Sequence, residues 1–154
     1  MAKKTLIDTP LNELTFRRYE KPENLAERDL VKKFCLSVGL LQPGDSRDVV
    51  VDVLLVLLKS RKDRKELGSA DITERVIALR KEKNLAQLGV ANSNIRRQLK
   101  RLRELFLVEK VRNSYRITEF AMLTNTYNEK LVQYLLPSIM NRVKEYFEAV
   151  DEKF

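Results

Sequence analysis

The chain has 154 residues, 44% of them hydrophobic and 34% charged, and 30 Lys and Arg set against 22 Asp and Glu give a net charge of +8. This composition suits one folded domain with appendages rather than a disordered chain, and its basic balance points toward polyanionic partners. With no histidine and a single cysteine, it lacks the usual general base, the Cys/His nucleophile and the ligand set of a zinc site, and it can form no internal disulfide.

In chain order, the opening MAKKTL lacks the apolar core of a secretory signal, so a cytoplasmic protein is expected. In EKPENLAERDLVKKFCLSVGL, Pro22 suits the first turn of a helix, and Leu25, Leu30, Phe34 and Val38 give it an apolar stripe. Cys35 lies on that apolar side and reads as a small core residue. QPGDSRD breaks the helix and offers Asp45 or Ser46 as a cap for the next one. That next helix, DVVVDVLLVLLKS, is apolar nearly all round and should be the most buried element. Its longest apolar run, Val49 to Leu58, is ten residues interrupted by Asp52, too short for a bilayer, so no membrane partner is expected.

The polar stretch RKDRKELGS then leads to a helix through ITERVIALRKEK, with Ser69 or Asp71 as its cap. NLAQLGVANS supplies a turn, and Asn92 or Ser93 caps the helix that begins at Asn94. Two short β-like stretches follow, LVEKV and YRIT, with Asn113 and Ser114 as the turn between them. From Glu119 the pattern is helical to the end. The glycines, Gly39, Gly44, Gly68 and Gly89, are too dispersed for a phosphate-binding loop. The chain therefore reads as non-enzymatic, with no cofactor and no metal.

Helix, helix, helix, hairpin, helix is the skeleton of a winged helix-turn-helix. The expected fold is mainly α with a small β-hairpin wing and additional N- and C-terminal helices. Its parts are an N-terminal helical extension over 1–46, a winged-helix DNA-binding domain over 47–118 and a C-terminal helical dimerisation segment over 119–154.

The charge is not spread evenly. Between Asn94 and Thr118, eight cations face only Glu104 and Glu109, a local excess of six out of the chain's eight. On a helix, Ile95, Leu99, Leu102 and Leu105 fall on one face, while Ser93, Arg97 and Lys100 point away from it and Asn94, Arg96 and Arg101 flank it. A groove-reading helix needs this division, with an apolar seam holding it to its domain and a cationic face reaching bases and phosphates. Arg97 suits a guanine edge, Asn94 an adenine, and Ser93 and Lys100 the phosphates, with Asn92 beside them at the helix start. Lys110, Arg112 and Arg116 make the hairpin basic, suited to the flanking backbone or the minor groove, while Tyr115 packs inward beside Ile117. Glu104 shares the outer face and is expected beyond the groove or paired with Lys100 or Arg101.

In the C-terminal segment, Val132, Leu136, Ile139, Val143, Tyr146 and Val150 recur at heptad spacing, and Leu131, Leu135, Met140, Phe147 and Phe154 widen the face. Val132, Leu136, Ile139, Val143, Tyr146, Phe147 and Val150 are the expected dimerisation residues. Pro137 should cause a kink or start a new helix.

The stretch GVANSNIRRQLKRLRELFLVEKVRNSYRITEFA resembles the winged-helix transcriptional regulators of bacteria and archaea, in the broad sense that includes the MarR-like and PadR-like groups. Leu102, Leu105, Leu107, Val108, Tyr115, Arg116, Ile117 and Thr118 carry the likeness. Phe106 departs from it, standing where these families often have a helix-ending glycine, and the turn from Asn84 to Asn92 is longer than a tight helix-turn-helix connection. The absence of histidine and tryptophan, with abundant Lys, Arg and Glu, is also thermophile-like. The resemblance implies a sequence-specific regulator that binds double-stranded DNA as a homodimer. The alternative is a winged-helix adaptor that recruits a protein of the basal transcription machinery. RNA binding is a third reading, although aromatic stacking platforms are missing.

Overall fold

Residues 5–154 are described by a computed structural model in which an extended N-terminal arm leads into helix α1 (Glu27–Ser37). Then come α2 (Val49–Lys62), β1 (Leu67–Gly68), α3 (Ser69–Glu82), α4 (Asn92–Glu104), β2 (Val108–Val111) and β3 (Ser114–Ile117). A 3-10 turn (Thr118–Phe120), with Glu119 and Phe120 at positive φ, is followed by extended Ala121 and Met122. The last helical stretch therefore begins at Leu123 rather than at Glu119 and runs through α5 (Leu123–Thr126), a π-helical segment (Tyr127–Leu135) and α6 (Leu136–Lys153). The protein is mainly helical, with a small three-stranded antiparallel sheet ordered β1-β3-β2.

The central element is α2, whose residues from Val49 to Leu57 are all buried. It packs against α1, α3, α4 and β3, as expected of a helix apolar on all sides. One continuous core gathers Val31 and Cys35 from α1, Ile72 and Val76 from α3, Ile95, Leu99 and Leu102 from α4, Ile117 from β3, and Leu131 and Leu135 from the π-helical segment.

At the middle of α2, Asp52 is fully buried, and two arginines explain how a charge survives there. Arg28 Nε and Nη2 donate to its two carboxylate oxygens at 2.9 and 3.0 Å, and Arg80 Nη1 donates at 2.6 Å. Asp48, one turn earlier, accepts from the same two arginines at 3.2 and 3.1 Å. A buried charge is tolerated only when paired and hydrogen-bonded, and this four-residue network satisfies every member. Burial alone would raise the Asp48 carboxyl; the hydrogen bonds and charges of Arg28 and then Arg80 outweigh it and hold the group below its ordinary value.

The elements depart from expectation at several points. Pro22 lies in the extended arm and α1 starts later, in a phase that turns Arg28, Val31 and Cys35 toward α2 and leaves Leu30 outside at 43% exposure. Neither Asp45 nor Ser46 caps α2, whose N-cap position is Asp48 without a side-chain cap bond. Asp45 instead accepts the Arg47 N–H, and the Asp48 carboxylate is already engaged by arginine. Likewise α3 begins at Ser69 with Gly68 before it, and α4 at Asn92 with Ala91 before it, so Ser69, Asp71, Asn92 and Ser93 all lie inside first turns without side-chain cap bonds.

Within residues 5–46, helix is confined to Glu27–Ser37. The arm is tied down by Arg17, whose guanidinium donates to the carbonyl of Leu36 in the last turn of α1 at 2.7 Å and to that of Leu41 in the following loop at 3.1 Å. Cys35 is wholly buried, and burial pushes its thiol up to about 12. Strand β1 was hidden in the stretch expected as a polar connection: Leu67, 1% exposed, pairs with Tyr115. Among the described residues, no helix is long and apolar enough to cross a membrane.

Candidate nucleic-acid interface

Helix α4 is placed by its apolar seam, since Ile95, Leu99 and Leu102 are each 0% exposed in the core. That seam fixes the rotation of the helix, so Ser93, Arg96, Arg97 and Lys100 are exposed on the other side with Asn92 at the first turn. The nine-residue connection 83–91 brings the chain to this point. Arg80 steers it from the buried network, because its Nε donates to the Ala86 carbonyl at 2.8 Å. Gly89 makes the final bend at φ +74°, where a Cβ would lie 2.9 Å from Asn94 Nδ2.

Three residues expected on the interface have their polar groups committed inside the chain. Asn94 Nδ2 donates to the Gly89 carbonyl at 2.7 Å, and its Oδ1 accepts from Gln98. The Arg101 guanidinium donates to the Leu40 carbonyl at 2.5 Å and to Gln98 Oε1 at 2.9 Å, fastening α4 to the loop after α1. Arg116 donates to Glu109 at 2.6 Å, lies 3.5 Å from Glu66, and stacks over the Phe120 ring at 4.9 Å. Each holds parts of the fold together in a way that the periodicity of its own element cannot reveal.

The hairpin stands beside α4, with β2 and β3 in the register Val108↔Ile117, Glu109↔Arg116, Lys110↔Tyr115 and Val111↔Ser114. Tyr115 and Ile117 both face the core. Its two-residue loop is Arg112–Asn113, one position earlier than expected, with Ser114 already in β3. Arg112 takes φ +59° at the tip, a left-handed position that costs an L side chain roughly 1–2 kcal/mol. Lys110 is exposed, its Nζ 5.7 Å from the Tyr115 ring.

Between α4, the hairpin and the π-helical segment lies an open cleft of about 580 Å³, whose lining includes Lys100, Arg103, Lys110 and Lys130 as well as Glu104, Glu109 and Glu119. Four cations against three acids leave it nearly neutral, so the strongly positive surface is the outer face of α4. Arg103 belongs with the exposed cations, on the flank toward the hairpin. Arg47 approaches from the other side, sharing a hollow with Arg97 and Gln98. The helical wheel contained a signal for Arg103; nothing in the sequence brings Arg47 to α4.

Phe106 ends α4 in the left-handed region at φ +63°. The N–H groups of Phe106 and Leu107 donate to the carbonyls of Arg103 and Leu102, a Schellman closure normally given to glycine. The helix does not run on past this point. Phe106 is braced from the far side by Tyr134, edge-on at 6.2 Å, and by Thr118, whose hydroxyl donates to its carbonyl at 2.7 Å.

The expected dimerisation residues divide into two groups. Val132, Leu136 and Ile139 are half-buried on their own chain, whereas Val143, Tyr146, Phe147 and Val150 are exposed, as is every residue from Asn141 onward. Pro137 sits in the first turn of α6, directly after the π-helical segment.

No protein-family model, curated protein or solved structure matches the chain.

Proposed function

We propose that this chain is a sequence-specific, double-stranded DNA-binding transcriptional regulator of the cytoplasm, acting as a homodimer and built as a winged helix-turn-helix, broadly like the MarR-like and PadR-like regulators. In this reading α4 enters the major groove and the β2–β3 hairpin is the wing. The observation that carries it is the outer face of α4, where Arg96, Arg97 and Lys100 are exposed, without an ion pair among the described residues, opposite a fully buried seam. A solvated helix face normally mixes signs, whereas the outer face of α4 sets these cations against one exposed acid, Glu104, in its last turn. Arg97, Ser93 and Asn92 are the base-edge candidates, Arg96, Lys100 and Arg103 hold phosphates, and Arg112 and Lys110 reach the flanking backbone or minor groove. Arg101, Arg116 and Asn94 act on the interior side, setting the angle of helix and hairpin.

The exposed face of α6 favours a second reading, an adaptor that recruits a protein of the basal transcription machinery. Selection of bound sequences from a random duplex pool, followed by electrophoretic shifts in moderate salt, separates the two. A regulator returns an enriched two-fold motif; an adaptor leaves duplex unshifted, and preferential retention of single-stranded or structured RNA would favour the third class.

A further inference from the structure

From Asn141 to Phe154, fourteen residues, nothing is buried, so α6 stands clear of the body for about 21 Å at 1.5 Å per residue. An isolated helix of that length is marginal in water. One side of it carries Met140, Val143, Phe147, Val150 and Phe154, at spacings of three, four, three and four. Phe147 is 70% exposed and Phe154 wholly so. This is a two-position heptad seam without a partner helix.

Charge on the flank of the seam identifies the partner. Beside it lie Lys144 and Asp151, seven residues apart and of opposite sign. The nearest intrachain acid to Lys144 is Glu148, at 3.8 Å with both side chains exposed, a contact of little weight. In a parallel pair of α6 helices, Lys144 and Asp151 gain no opposite charge across the seam. In an antiparallel pair, one register stacks Phe147 on Val150 of the second copy and Val143 on Phe154, and it sets Lys144 against Asp151 at both ends. Sliding by one heptad either way brings Lys144 to Lys144 or Asp151 to Asp151.

We infer that the distal half of α6 binds a second copy of this chain as an antiparallel helix pair, in the register that joins Lys144 of each copy to Asp151 of the other. The inference rests on the homodimer part of the proposed function and adds its geometry; it does not depend on DNA binding. The two bodies then lie at opposite ends of a short two-helix bridge, related by a two-fold axis across it.

Cysteine pairing in the full-length chain tests the register, since the native Cys35 is buried and silent. Under mild oxidation, a mixture of Lys144→Cys and Asp151→Cys chains should give a disulfide-linked dimer while neither variant alone does, because like positions lie about seven helical rises, roughly 10 Å, apart along the axis. Val143→Cys alone should also remain unlinked. Self-linking of Val143→Cys would show parallel helices, and a sedimenting dimer in which the mixture fails to link would show another interface; either overturns the inference while leaving the homodimer. Sedimentation of the intact chain as a monomer at micromolar concentration overturns both. As a second readout, Lys144→Asp should weaken the dimer and adding Asp151→Lys in the same chain should restore it, which a residue important only for helix stability would not do.

Discussion

Replacing single arginines should separate the cations proposed to meet DNA from those that hold the fold, although all belong to one basic segment. Six cations near the interface, Arg96, Arg97, Lys100, Arg103, Lys110 and Arg112, are exposed and have no ion pair among the described residues, whereas Arg101 and Arg116 are half-buried and engaged. If a dimer neutralises about 6–10 phosphates with these groups, log affinity should fall with log salt at a slope of about −5 to −9, a loss of roughly 10³–10⁵ between about 50 and 200 mM. Arg112→Ala should weaken all duplexes evenly and flatten the slope by about one per subunit. Arg97→Ala should cost about 1–3 kcal/mol per half-site on the selected sequence and relax one base position, with less effect on random duplex. Arg101→Ala should leave the slope unchanged and instead lower stability by about 1.5–3 kcal/mol, the range for hydrogen bonds from a charged donor. Fluorescence anisotropy across a salt series, on selected and random duplexes, reads all three variants. A flat salt response would refute the DNA reading, and an Arg101→Ala slope that flattens as much as that of Arg112→Ala would refute the division of labour.

The buried network predicts that Asp52→Ala, which leaves Arg28 and Arg80 with only Asp48 between them, costs about 3–5 kcal/mol in urea unfolding; a loss under about 1 kcal/mol would mean that the arginines find water. The folded carboxyl of Asp48 is held below its unfolded value of about 3.9, so its contribution is complete above that pH and is lost as pH falls through the lower folded value. Asp48→Asn should remove that part of the acid dependence of stability, as followed by urea midpoints between about pH 5 and 2. Arg112→Gly should raise thermal stability by roughly 1 kcal/mol of relieved strain while weakening duplex binding; a loss of stability would show that the arginine side chain helps to hold the hairpin.

What was legible in the sequence is what periodicity carries. The seam Ile95, Leu99, Leu102, the encirclement of α2 and the inward Tyr115 and Ile117 follow from spacing alone, because burial repeats with the period of the element. Strand β1 was not legible, since two residues with one apolar side chain contain no period, and its existence depends on β3 passing nearby. The partners of Asp52 were hidden for a related reason: Arg28 and Arg80 lie 24 and 28 residues away in sequence, and only the packing of α1 and α3 on α2 assembles them. The same limit divides the interface. The wheel separates outward from inward cations, but whether a flanking arginine meets solvent or a carbonyl depends on a loop from elsewhere in the chain, as the Leu40 carbonyl does for Arg101. Cap assignments failed because Ser69, Asp71, Asn92 and Ser93 were already inside their helices, while Asp45 and Ser46 fall short of α2, whose N-cap position is Asp48 with its carboxylate held by arginine.

The π-helical segment also sets an azimuth. Leu131 and Leu135 point into the body, while Val143, Phe147 and Val150 further along point away from it, and the loosely wound turns between Tyr127 and Leu135 decide the angle between those directions. Deleting or inserting one residue there would turn the distal face by about 100° about the helix axis without altering a residue of the core or of α4. Through an antiparallel α6 bridge, that turn would re-aim one α4 relative to the other. The spacing and orientation of two half-sites could then change between related chains through a single residue far from any DNA contact.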